Sequence, residues 1–263
     1  MFHAFHRPRP RLVRPQPHGR RRHRGDAGGG RLLETALLSD DTSVLAFVET
    51  HAGDDPAIVT IDAPLTVPNV TGRRLAEAEV GAVFGRFQAA AHPTNRTRLA
   101  DAAGVVRGEA LTQALTARGF VHDPRIPVGL PVRRVVEVYP HPATVALFGL
   151  SRTLKYKNKG QAREVMDAAW TALYDHLAAL AQADPPLTGL GAHLAVNPAT
   201  LRGRALKDHE DRTDALLCAY IALYAHRWGL ERSEVLGTLE GGYIFTPTLP
   251  ERWNASRAVE VSS

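Results

Sequence analysis

Four carboxylates occupy places where an apolar segment does not usually carry charge. Asp62 ends the run Ala57-Ile58-Val59-Thr60-Ile61. Glu137 interrupts Val135-Val136-Val138-Tyr139. Asp211 and Asp214 open a long apolar helix. A carboxylate taken out of water is costly unless something compensates it, and a divalent cation is a common partner. Three or four acids on strand ends and a helix start suit one or two Mg2+ or Mn2+ ions, which prefer oxygen ligands. Two such ions about 4 Å apart can activate a water and stabilise a leaving phosphate oxygen. The chemistry in view is phosphodiester hydrolysis, with Lys155, Lys157 and Lys159 placed to meet phosphate charge.

Each acid also has a plainer reading. Asp62 precedes Ala63-Pro64-Leu65 and could cap a turn. Glu137 could sit in a lone salt bridge to Arg133 or Arg134. Asp211 and Asp214 are three apart, share a helical face, and could cap the helix or favour its dipole. The preceding His209 and Glu210 add further ligands or bases, although a histidine there is more often a surface residue. The three lysines read equally well as a solvated face.

The elements that must position these groups follow from periodicity. Leu32 to Leu38 reads as a strand, and Asp40-Asp41-Thr42-Ser43 starts a short helix striped by Val44, Phe47 and Val48. Ile58 to Ile61 is a buried strand stopped by Pro64, so Asp62 lies at a strand's C-terminal end, where open α/β sheets place their sites. Residues 72–91 form an amphipathic helix through Leu75, Val80, Val83, Phe84 and Phe87. A shorter helix is expected around Glu109 to Ala117. Val132 to Tyr139 is a second strong strand, ended by Pro140-His141-Pro142. Met166, Trp170, Leu173, Leu177 and Leu180 mark one face of a helix over 161–183. The last helix is expected from near Asp211 to Trp228 with Gly229 as its C-cap, followed by a short strand at Tyr243-Ile244-Phe245. Strands alternating with helices predict an α/β layered domain.

Composition narrows the classes. Hydrophobic residues make up 44% and charged residues 22% of 263, an ordinary globular mix, so a true core is expected. The single cysteine, Cys218, excludes a disulfide framework and a cysteine zinc site, and fits a reducing, cytoplasmic setting. No run of 18 apolar residues predicts a membrane span, and the N-terminus lacks the apolar region of a secretory signal. The net charge of +5 comes from an arm: residues 1–26 hold eight arginines and one acid, Asp26. Without them 24 basic residues face 26 acidic ones, so a body-wide nucleic-acid footprint is not expected.

The motifs, taken in order, resemble one family. They are Ile61-Asp62-Ala63-Pro64-Leu65 with Thr71-Gly72-Arg73-Arg74, then Glu137-Val138-Tyr139-Pro140-His141-Pro142 with Leu154-Lys155-Tyr156-Lys157. Asp211-Arg212-Thr213-Asp214-Ala215 and Glu240-Gly241-Gly242-Tyr243-Ile244 complete the set. The resemblance is to domain-of-unknown-function family 429, described as predicted nucleases with a ribonuclease H-like fold, and covers about residues 31–247. It implies a mixed sheet flanked by helices and an Mg2+- or Mn2+-dependent nuclease. Its catalytic carboxylates would be Asp62, Glu137 and Asp214, with Asp211 beside them as a fourth metal ligand. Arg73, Lys155 and His141 would be its substrate contacts.

The sequence departs from the family at its start. Members open with a strand reading like Gly-Ile-Asp, whose aspartate is the central ligand of ribonuclease H-like sites. Here the Arg/His/Pro/Gly arm of residues 1–30 stands in that place, so the first strand or strands are expected to be missing or replaced. The arm is expected to be either disordered or a frame-shifted translation of those strands, with residues 31–263 forming a single domain. Translating the encoding DNA in its other two frames tests the frame shift. The rival reading is a non-catalytic member of the same fold that binds nucleic acid or a protein partner, with the arm as its contact. No Gly-x-x-x-x-Gly-Lys-Ser/Thr loop or Gly-x-Ser-x-Gly elbow supports a nucleotide kinase or serine hydrolase instead.

Overall fold

The computed structural model describes residues 28–157 and 160–253, and the backbone of Arg14–Pro15. The elements run β1 (Arg14–Pro15), β2 (Gly30–Arg31), α1 (Asp41–Ala52), β3 (Ala57–Ile61), α2 (Leu75–Phe84), α3 (Arg96–Leu99), α4 (Arg107–Thr116) and β4 (Val121–His122). They continue with β5 (Arg133–Glu137), α5 (Pro140–Phe148), α6 (Arg163–Ala179), β6 (Leu187–Thr188), α7 (Gly191–Leu194), α8 (Gly203–Trp228), β7 (Ser233–Thr238) and β8 (Gly242–Pro247). The chain is an α/β protein. What the sequence expects of residues 1–13 and 16–27, and of Lys159, lies outside the described residues.

The sheet that carries the site is parallel, ordered β3-β5-β4. Its two longer strands, β3 and β5, carry β-branched runs that are covered on both faces, as parallel strands require. On one face Val59, Ile61 and Val135 pack against Val44 and Val48 of α1 and Leu111 and Leu115 of α4. On the other, Val136 and Val138 meet Cys218, Ile221 and Ala225 of α8. The Thr60 hydroxyl donates to the Cys218 carbonyl at 2.8 Å and fixes α8 against β3. The β7–β8 hairpin is antiparallel and joins the end of β5 through a parallel bridge between Val138 and Phe245. α6 packs its Met166, Trp170, Leu173 and Leu177 face on Leu216, Leu217 and Tyr220 of α8.

Several expected boundaries move. Residues Leu32 to Leu38 do not form a strand. Only Gly30–Arg31 pairs, in parallel with β6, and the Leu32 amide makes the last bond to Thr188. Beyond that point the neighbouring chain turns at Gly189, and none of the described residues extends the ladder. α8 begins at Gly203, eight residues before Asp211. Asp211 and Asp214 are therefore interior helical residues and cap nothing. Its first turns are helical without an apolar stripe because Arg204–Asp208 and Lys207–Asp211 pairs support them. Pro140 starts α5, as Pro can at the first helical position. Asp40 caps α1 and Gly229 closes α8, as expected. Among the described residues no helix is long and apolar enough to cross a membrane.

Candidate active site

The register of β3 and β5 opposes Ile61 to Glu137, so Asp62 and Glu137 emerge together at the C-terminal end of the parallel strands. Asp214 arrives from α8. It lies four residues before Cys218, which faces Thr60, and four residues of helix advance about 6 Å toward the same strand end. The three predicted catalytic acids are thus brought to one place. A cleft of about 560 Å³ opens there, lined by Asp62, Arg74, Glu77, Glu137, Tyr139, His141 and Lys157, with His92 and Arg98 among the residues farther round its wall.

What surrounds each acid differs sharply. Glu137 is buried, and both of its oxygens are engaged. The Arg74 guanidinium donates to Oε1 at 2.6 Å and to Oε2 at 3.0 Å, and the Leu65 amide donates to Oε2 at 2.8 Å. Burial pushes the Glu137 carboxyl up to about 7, against the opposing pull of Arg74. Arg74 also holds Glu77 and the Thr66 carbonyl. Burial opposes the Arg74 charge, but Glu137 and Glu77 together raise its pKa above the ordinary arginine value. This is a salt bridge, but to Arg74 and not to Arg133 or Arg134. Arg133 spends its guanidinium on the carbonyls of Gly53, Asp55 and Arg118.

Asp214 is likewise compensated. The Tyr156 hydroxyl donates to Oδ1 at 2.6 Å, and the Lys157 ammonium lies 2.7 Å from Oδ2. Burial raises the Asp214 pKa, but Lys157 and Tyr156 outweigh it and the net shift is downward. Burial likewise disfavours the Lys157 charge, and Asp214 with Asp62 more than restores it. Asp211 sits one turn earlier, 2.6 Å from its own Lys207, and does not line the cleft.

Asp62 is the exception. Its side chain is exposed to the cleft, and it makes no hydrogen bond or ion pair among the described residues. Protein crowds it even so. Desolvation pushes its pKa up to about 7, Lys157 pulls it down, and Asp214 and Glu137 push it further up. Water in the cleft screens part of this crowding.

Of the expected substrate contacts, His141 lines the cleft beside Tyr139 and Tyr156, whereas Arg73 and Lys155 are exposed outside it. Arg74, the next residue after Arg73, and Lys157, two residues after Lys155, turn inward instead as buried cations. Sequence reasoning missed Arg74, Glu77, Tyr156 and Tyr139. Glu77 stands three residues after Arg74 and its carboxylate accepts from the Arg74 amide at 2.7 Å, but arginine carries no acceptor for the reciprocal bond, so the sequence held no capping-box signal for the pair.

The four predicted ligands do not fit an ion cage. Both oxygens of Glu137 and of Asp214 accept from protein donors, Asp211 is paired away from the cleft, and only Asp62 is open. Among the described residues no three of His, Cys, Asp and Glu form a group able to hold a metal ion.

Fold and cleft together define an α/β protein with a polar site at the strand ends. The chain belongs to the family described as "Protein of unknown function (DUF429)", which matches residues 24–235. No curated protein and no solved structure matches it.

Proposed function

We propose that this chain hydrolyses phosphodiester bonds in the cleft, as a nuclease with Asp62 as its general base. The observation that carries the reading is the state of Asp62. Every other acid deep in the cleft is held by a cation, while Asp62 stands open to solvent at the strand ends. Its raised pKa matches a base working near neutral pH.

In the step proposed, a water oxygen bonds to phosphorus and its proton passes to the Asp62 carboxylate. The bond from phosphorus to the leaving oxygen breaks, and that oxygen takes the electron pair and is protonated from solvent. Lys157 presents its ammonium to the same cleft and meets charge building on the phosphate oxygens. Asp214 and Tyr156 fix Lys157, and Glu137 fixes Arg74, so the other predicted catalytic acids act by positioning. Arg98 on the rim, with Arg73 and Lys155 outside it, offers contacts to neighbouring phosphates. The ribonuclease H-like architecture implied by the motifs belongs to this proposal, as does a cytoplasmic setting, with which a single buried cysteine is compatible.

The test is cleavage of end-labelled single-stranded RNA, single-stranded DNA and duplex DNA, with Mg2+, with Mn2+ and with chelator. Cleavage of at least one substrate is expected, with Asp62→Asn slower by about 10²–10⁴-fold, the usual contribution of a general base. A wild-type chain that cleaves none of them, or an Asp62→Asn variant as fast as wild type, refutes the reading. Salt-sensitive binding without cleavage points to the non-catalytic alternative.

A further inference from the structure

Apart from Asp62, the acids gathered at the cleft have their oxygens taken by protein donors, and the group that holds Asp214 is itself a cation. Lys157 lies 2.7 Å from Asp214, is within electrostatic reach of Asp62, and lines the cleft beside Asp62. Its side chain is only 10% exposed, so the ammonium is built into the wall and is not a passing surface contact. Tyr156, the preceding residue, donates to the other oxygen of Asp214, so each oxygen of that carboxylate has a protein donor. Trp170 and His141 flank the Tyr156 ring and hold it in place. On the far side of the cleft Arg74 does for Glu137 and Glu77 what Lys157 does for Asp214.

We propose that Lys157 stands in for a divalent cation in this cleft and closes the site to Mg2+ and Mn2+. A buried ammonium beside Asp214 repels a second cation. It also holds the carboxylate that a metal would need as its second protein ligand beside Asp62. Combined with the hydrolase reading, on which this consequence rests, it makes turnover independent of divalent metal. The closure itself does not depend on any activity.

The experiment is a titration of the full chain with Mn2+ alone, followed by the loss of the free-ion electron paramagnetic resonance signal, for wild type, Asp62→Asn, Lys157→Met, Lys157→Arg and Lys157→Met with Asp62→Asn. Wild type and Lys157→Arg are expected to leave the signal intact up to about 1 mM, the scale of very weak binding. Lys157→Met is expected to withdraw one equivalent at least about tenfold more tightly, because a neighbouring positive charge is gone and Asp214 is released. The added Asp62→Asn change is expected to abolish that binding. Mn2+ binding by wild type that Asp62→Asn removes overturns the proposal. So does a folded Lys157→Met variant that binds no better than wild type. If circular dichroism shows Lys157→Met unfolded, Lys157→Gln replaces it under the same criteria. No substrate enters this titration, so absent cleavage with the expected Mn2+ pattern defeats the hydrolase reading alone. Tight Mn2+ binding by an active wild type defeats this proposal alone.

Discussion

Replacing Arg74 by methionine keeps the stem and removes the charge that two buried carboxylates share. The guanidinium makes five hydrogen bonds, to Glu77, to Glu137 and to the Thr66 carbonyl, and the side chains of the three charged residues are 1–3% exposed. Removing one partner of a buried pair leaves uncompensated charge and costs about 3–5 kcal/mol. For a chain of this size that is a fall in melting temperature of roughly 6–20 °C. The loss depends on pH, with a definite sign. Burial already lifts Glu137 to about 7 from an ordinary 4.5, so between those values the folded chain binds a proton there more readily than the unfolded chain does. Such a group contributes stability below its unfolded pKa and loses it as pH rises through the folded value. Without Arg74 the largest downward pull is gone and only the Leu65 amide bond remains, so the Glu137 pKa climbs further. The gap between variant and wild type should therefore widen from about pH 5 to about pH 8. Thermal unfolding followed by circular dichroism at both values measures it. Adding Glu77→Gln and Glu137→Gln to Arg74→Met should recover much of the loss at the higher pH. A loss below about 1 kcal/mol at pH 8, or equal losses at the two pH values, refutes the reasoning.

Two further outcomes are expected. Asp62→Asn should melt above wild type, by a margin that grows as pH rises through about 7, because the open carboxylate must give up its proton there while asparagine does not titrate; a margin that shrinks with pH contradicts the upward shift. Gly108→Ala should cost about 1–3 kcal/mol and lower any turnover, since a Cβ at Gly108 would lie 1.9 Å from the Pro64 carbonyl oxygen, two residues past Asp62. Unchanged stability of Gly108→Ala in chemical denaturation would show that the Asp62 loop is not pinned by this helix.

Much of the frame was legible because it is written in local pattern. The apolar runs before Asp62 and around Glu137 are β3 and β5, and the spacing of Met166, Trp170, Leu173 and Leu177 is the buried face of α6. The convergence of Asp62, Glu137 and Asp214 was also foreseeable from strand ends and helix direction. The pairing was not. Glu137 finds its cation 63 positions away at Arg74, while the arginines beside it in sequence point elsewhere. Nothing in Lys155-Tyr156-Lys157 says which lysine turns inward, because that depends on Asp214 waiting on another element. The start of α8 was hidden because its first turns are held by charged pairs and not by a stripe.

The Arg74 hub also bears on how the chain comes together. It joins the loop after β3, the start of α2 and the end of β5, and Gly242 of the last hairpin lies so close that a Cβ there would fall 2.6 Å from the guanidinium. A growing chain therefore cannot complete the cleft until that hairpin has been made, and contacts of such long sequence separation form slowly. The Leu65 amide, whose hydrogen goes to Glu137, should then exchange with solvent only when this knot opens. That one amide is a clock for the cleft: its protection during refolding would mark when the cleft closes around the β7–β8 hairpin.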